Sequence, residues 1–397
     1  MKARRVPFSF DLEITARCNN NCRHCYINLP AGDQVARAQE LTVDEISSLA
    51  DEAVDLGAVW CLVTGGEPLL RSDFVDIYLT LKRKGLLISL FTNACLVTEE
   101  HASLFRHYPP RDIEVSVYGV TEQTYEAITR RPGSFAAFMQ GLERLQDSGV
   151  KLRFKAMALR SNVHEMAAIA RFCQEQTKDY FRYDPMLHLR FDGDPIRNRE
   201  IQSERLSPEQ IVDLERADAR RFKALERSCD RLITATDLSV DSCFVCGDRR
   251  DCEWYAAFTR LFTCGTGSHS FSIGYDGTFR LCSSLWAPTT TYDLRAGSLC
   301  DAWQHLVPRV RAMRTDNEEL LTSCRQCGYV NLCLWCPAHA HLETGSLEGP
   351  TPYFCAVAQA RAESVQGAHQ PPSERPAPVQ CPSKHQESIS SQEDALT

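Results

Sequence analysis

The sequence predicts an α/β protein, and two patterns carry that expectation. From the N-terminus to about residue 190, short β-rich runs alternate six times with amphipathic helical stretches. Strand–helix units in series imply a parallel sheet with right-handed crossovers. Between 260 and 360 that periodicity gives way to a stretch dense in cysteine with little strand or helix pattern, which predicts a loop-rich region organised by metal.

The strand candidates are 7–14, 58–64, 86–92, 112–118, 150–158 and 180–189. In the first, Phe8, Phe10, Leu12 and Ile14 alternate on one face, the pattern of a half-buried strand. The others come closer to continuous apolar runs, as when both faces of a sheet are covered. Thr42 with Glu45, and Asn162 with Glu165, have capping-box spacing. Gly57, Gly85 and Gly149 stand where helices should end in a left-handed residue. Phe135, Phe138, Met139, Leu142 and Leu145 form a helical stripe of core type. Ser207-Pro208-Glu209-Gln210 should open a helix running to about Arg227, whose charges read as a solvated face. Expected boundaries are 1–195 for the strand–helix domain, 196–260 for a helical connector, 261–362 for the cysteine-rich domain and 363–397 for a disordered tail containing Cys381.

Composition narrows the function. The 397 residues are 43% hydrophobic and 24% charged, ordinary for a soluble globular chain. With 44 basic and 52 acidic residues the net charge is −8, which offers no field for nucleic acid. No window approaches the roughly 18 apolar residues of a membrane helix, and no signal peptide precedes the first strand. A cytoplasmic location is expected. Nineteen cysteines, an odd number, then suit metal ligation better than a disulfide framework.

The first cluster follows the first strand directly: Cys18-Asn-Asn-Asn-Cys22-Arg-His-Cys25. Closed zinc sites and ferredoxin-type clusters use four ligands. Three thiolates leave one position of a four-iron cluster open for a ligand; the alternative is a zinc knuckle borrowing His24. The second strand ends in Thr64-Gly65-Gly66-Glu67-Pro68, where glycines permit close approach to the backbone and a carboxylate can accept from an ammonium group.

The cysteine loop resembles the CxxxCxxC signature of the radical S-adenosylmethionine (SAM) superfamily, and the second segment resembles its GGEP motif. The resemblance implies a partial (βα)6 barrel in which Cys18, Cys22 and Cys25 hold a [4Fe–4S] cluster, its fourth iron chelated by the amino and carboxylate groups of SAM. Gly65, Gly66 and Glu67 would bind the amino group, and His24 would border the adenine. Thr92, Asn93 and Ser116 would contact ribose or carboxylate. In the family, one electron cleaves the sulfonium to methionine and a 5′-deoxyadenosyl radical that takes hydrogen from the substrate; the protein supplies placement and dryness.

Downstream stand Cys264, then Gly277-x4-Cys282, then Cys324-x2-Cys327-x5-Cys333-x2-Cys336, then Cys355. Paired zinc sites could use such spacing. The order resembles the SPASM extension of radical SAM enzymes, which binds two auxiliary [4Fe–4S] clusters. By position Cys264, Cys282 and Cys336 would hold the inner cluster, and Cys324, Cys327, Cys333 and Cys355 the outer one. The inner cluster has only three clear cysteines, its fourth position being left to a non-cysteine residue, to substrate or to a cysteine upstream. Cys243, Cys246 and Cys252 repeat part of the spacing and could supply that ligand or a further metal site, but read first as loop thiols outside any cluster. Anaerobic sulfatase-maturating enzymes carry an aspartate base directly after the Gly-x4-Cys cysteine; Ser283 and Ser284 stand there instead, which disfavours formylglycine formation.

The resemblance implies an oxidoreductase that abstracts hydrogen from a peptide or protein side chain, supplied with electrons by a ferredoxin or flavodoxin. Small-molecule or cofactor biosynthesis is the alternative, and a non-catalytic zinc or electron-transfer protein a distant one. The chain starts only a few residues before its first strand, so no leader-binding domain is expected ahead of it.

Overall fold

The structure is a computed structural model describing residues 5–229 and 258–367. Cys243, Cys246, Cys252 and the tail beyond 367, with Cys381, lie outside the described residues.

The six expected strands form, in order, one parallel sheet: β1 (Ser9–Thr15), β2 (Trp60–Gly65), β3 (Leu87–Thr92), β4 (Asp112–Ser116), β5 (Leu152–Met157) and β6 (Phe181–Asp184). Each pairs with its successor, as serial crossovers require. Three further strands extend the other edge: β7 (Ser270–Ile273), β8 (Thr278–Arg280) and β9 (Tyr292–Asp293). The sheet reads β9-β8-β7-β1-β2-β3-β4-β5-β6, with β7 parallel to β1 through Ser9 opposite Ser270. Asp11 and Glu13 on β1 line one cavity with Arg182 and Asp184 on β6, so the sheet curls into a partial barrel between them.

Helices cover the outer face. Val43–Leu56 (α1) starts at the expected Thr42–Glu45 capping box and ends at Gly57 in the left-handed region. Gly85 and Gly149 are left-handed as well. Asn162 and Glu165 make no capping box. Asn162 instead ties Tyr118 O and Met157 O, while Glu165 accepts from Val120 N, Thr121 Oγ1 and Thr124 Oγ1. Of the helical stripe, Phe138, Leu142 and Leu145 are buried and Met139 is exposed.

The covered-on-both-faces reading fails for the inner face. Along β5, Leu152, Phe154 and Ala156 are buried under helices, while Arg153, Lys155 and Met157 alternate toward the interior. Asp11, Glu13, Glu114, Lys155 and Arg182 make the inside of the curl polar, because it borders cavities rather than a packed layer. On β1 the apolar face is as expected, and Phe8, just ahead of the strand, is exposed.

The compact units cut across the expected domain boundaries. The first comprises residues up to 206 with 258–316 and 336–349; the second comprises 207–229, 317–335 and 350–367. Pairing of β7 onto the edge of β1 draws part of the cysteine-rich region into the first unit. In the second unit the charged helix breaks in two, α2 (Pro208–Ala217) and α3 (Ala219–Cys229), at Asp218, which caps the second piece. Its charges are not all solvated. Glu215 is buried and bidentate to Arg361 of α4 (Pro352–Gly367) at 2.6 and 3.0 Å, and Arg361 also donates to Leu332 O at 2.9 Å.

Candidate active site

A cavity of about 360 Å³ opens at the C-terminal ends of the parallel strands. Cys18, Cys22, His24 and Cys25 line it together with Gly65, Gly66, Thr92, Asn93 and Ser116. Sequence positions nearly one hundred residues apart meet here because parallel strands deliver their C-terminal loops to one end.

The cysteine loop is held from several sides. Asn20 N and Asn93 Nδ2 donate to Cys18 Sγ at 3.4 and 3.7 Å, and Asn93 Nδ2 also reaches Asn19 Oδ1 at 2.8 Å. Arg197 Nη2 donates to Cys22 O at 2.9 Å, and Arg190 Nη1 to Asn28 O at 3.1 Å. Burial pushes the Cys18 and Cys22 thiols upward, and each feels its loop neighbours as like charges. Buried together, these thiols would ionise only beside a cationic centre. Among the described residues no three His, Cys, Asp or Glu side chains converge as a single ion would require. The donor set of three adjoining thiols, half enclosed and facing open space, fits an iron–sulfur cluster with one side left to a ligand.

The two glycines, which line the cavity, also meet a packing demand. A Cβ on Gly65, whose φ is +131°, would fall 2.1 Å from Thr15 O; one on Gly66 would fall 2.3 Å from Arg17 O. Their first duty is to let the end of β2 pack against the chain entering the cysteine loop. Glu67 does not line the cavity. It is fully buried behind it, accepting from Thr92 Oγ1 at 2.7 Å, Asn93 N at 2.7 Å and Leu69 N at 3.2 Å. Burial raises this carboxyl to about 7 against the pull of those three donors. Its visible role is to fix the β3 terminus, and through Asn93 the loop thiol.

His24 packs beside Tyr118, ring centroids 5.3 Å apart, with Nδ1 buried and unpartnered. Burial first, then Lys155 and Arg197, lowers it to about 3, so it is a neutral wall. The cavity also contains residues that motif reading missed: Asp11, Glu13, Tyr118, Lys155, Arg182 and His188. All but Tyr118 and His188 are charges at inward positions of β1, β5 and β6, and period-two alternation of charge was the available signal. His188 stacks on His339 at 4.0 Å, so that histidine has a partner the sequence did not suggest.

Glu13 and Arg280 form a fully buried ion pair. Arg280 also donates to Ser283 O at 3.0 Å and lies 3.5 Å from the Trp286 ring centroid. The pair thus links β1 to the turn carrying Cys282 and to Ser283 and Ser284, which reach the cavity wall.

The remaining cysteines separate by unit. Cys264, Cys282 and Cys336 belong to the first, where burial raises Cys282 and Cys336 and each of the two also feels Cys264. Cys324, Cys327, Cys333 and Cys355 belong to the second, where a hydrogen bond with Cys355 lowers Cys333.

Residues 12–173 match the family model described as the Radical SAM superfamily. AdoMet-dependent heme synthase of Nitratidesulfovibrio vulgaris is 28% identical over 41% of this chain, which spans 43% of that protein's length. The heme synthase of Methanosarcina barkeri is 26% identical over 86% of this chain and 94% of its own. Streptococcus suis SuiB bound to precursor peptide SuiA superposes with a TM-score of 0.59, 17% identity, and coverage of 87% of this chain and 75% of that one. Residues 12–173 therefore make up a radical SAM domain, and the chain shares its fold with SuiB. That domain implies a [4Fe–4S] cluster and SAM as cofactors, and the later cysteines are consistent with auxiliary clusters.

Proposed function

We propose that this protein is a radical SAM enzyme that oxidises or cross-links side chains of a peptide or protein. The observation that carries the reading is the gathering of three loop thiols, two glycines and the ends of β3 and β4 around one cavity. Cys18, Cys22 and Cys25 would hold the cluster. When bound, the cluster and SAM supply the power to remove hydrogen from an unactivated carbon. The protein's own part is placement: Asn93 orients Cys18, Gly65 and Gly66 bring β2 against the loop, and His24 with Tyr118 forms a dry wall.

A peptide is supported by the cavity's size. At about 360 Å³ it lies at the lower end of the usual ligand range, which suits a cofactor and one inserted side chain better than a wholly enclosed large substrate. No carboxylate follows Cys282, so formylglycine formation is not part of the proposal. Cys264, Cys282 and Cys336 would serve an inner auxiliary cluster, Cys324, Cys327, Cys333 and Cys355 an outer one, and a ferredoxin or flavodoxin would supply electrons. A second reading, tetrapyrrole modification, is favoured by the alignment with a heme synthase over nearly its full length.

The two are separated by incubating reduced, reconstituted protein with SAM and either short peptides encoded beside its gene or iron coproporphyrin. Loss of two hydrogens from a peptide, seen by mass spectrometry, is expected. Turnover of the porphyrin with every peptide unchanged would overturn the proposal.

A further inference from the structure

Two cations line the cavity among the described residues, Arg182 and Lys155. Arg182 is committed: it is bidentate to Glu114 at 2.6 and 3.0 Å and reaches Asp184 at 3.4 Å. The wall carboxylates are occupied too, Glu13 by Arg280 and Asp11 by Ser272 Oγ at 3.2 Å. Lys155 is not committed. It extends from an inward position of β5, and its ammonium has no hydrogen-bond or ion-pair partner among the described residues. It stands over the Phe91 ring, 5.3 Å from the centroid. A half-buried ammonium without an acceptor is costly unless something supplied later pairs with it.

We propose that Lys155 anchors a carboxylate of the substrate inside this cavity, so that the enzyme acts on an acidic side chain, a chain terminus or another carboxylate-bearing group. Burial first, and then the neighbouring Arg182, hold Lys155 below the usual lysine range against the pull of Glu114, Asp184 and Cys25, and an incoming anion would offset both effects. A cation in the same cavity as the cysteine loop would tether a substrate by its carboxylate and so orient the carbon presented to the cofactor. The inference rests on reading the cavity as the reaction chamber. SAM carries a carboxylate as well, and the test separates the two sources.

The experiment is reductive methylation of the anaerobically reconstituted full chain with isotopic formaldehyde, following the Lys155 peptide by mass spectrometry. Glutarate is the probe for the acid group, putrescine the cationic control, and exposed Lys223 the internal reference. Glutarate is expected to slow methylation of Lys155 severalfold, with or without saturating SAM, and to leave Lys223 unaffected. Full protection by SAM with no added effect of glutarate would overturn the proposal, since the lysine would then hold the cofactor. Protection by neither, or equal protection by putrescine, would overturn it as well. None of these readouts requires SAM cleavage, so failure here is distinguishable from failure of the reaction-chamber reading.

Discussion

Replacing Arg280 with methionine isolates the buried ion pair that joins β1 to the Cys282 turn. Both partners are essentially inaccessible, at 0% and 1% side-chain exposure; Arg280 meets Glu13 Oε2, and Oε1 has no hydrogen-bond partner among the described residues. Removing the guanidinium strands a carboxylate that burial already pushes upward and that only Arg280 strongly opposes. Breaking a buried pair from one side costs about 3–5 kcal/mol, whereas replacing both partners by apolar groups of similar volume is often near neutral. At roughly 2 °C per kcal/mol for a chain of this size, Arg280→Met should lower the melting temperature by about 6–10 °C. The Glu13→Leu/Arg280→Met double variant should recover most of that loss. Thermal unfolding of wild type, both single variants and the double variant, at pH 7.5 without metal, gives the coupling directly. If the double variant melts as low as Arg280→Met, the loss lies in the Ser283 and Trp286 contacts, and the stranded-charge reasoning is refuted.

Cys327→Ala should cost about four irons per chain, as loss of one cluster requires, while SAM cleavage persists and product falls; unchanged iron content would remove Cys327 from the metal sites. His188 is lowered to about 3 by burial, then by His339, Arg205 and Lys155. Its folded value lies below the unfolded one, so its contribution is complete above about pH 6.5 and is lost as pH falls toward 3. His188→Phe should flatten the acid limb of a stability–pH curve, and an unaltered limb would show that His188 does not titrate in unfolding.

Much of the cysteine loop was legible because its chemistry is set by spacing within eight residues, from Cys18 to Cys25, directly after a strand with clear alternation. The six strands were legible for the same local reason. What escaped depended on distant partners. That Ser270–Ile273 joins the edge of β1 could not be read, because a strand of four residues carries no periodicity and its partner lies far along the chain. Glu215 looked like one charge in a solvated run; only Arg361, far along the chain, makes it a buried one. Asn162 and Glu165 had capping spacing, but partners at the end of β5 and on the loop after β4 claimed both side chains. The motif marks Glu67 but does not say which way its carboxylate turns, and the donors that hold it, Leu69 N, Thr92 Oγ1 and Asn93 N, come from two separate segments. Lys155 was invisible as a site residue, since a lysine in a strand gains meaning only when its neighbours prove to be paired.

Electron paramagnetic resonance of anaerobically reconstituted, dithionite-reduced protein, recorded with and without SAM, tests the central claim most directly. Wild type should show a reduced four-iron cluster whose signal changes when SAM is added, and Cys22→Ala should lack that SAM-responsive component while retaining the rest. A wild-type spectrum indifferent to SAM, or a Cys22→Ala spectrum that still responds to it, would contradict the account.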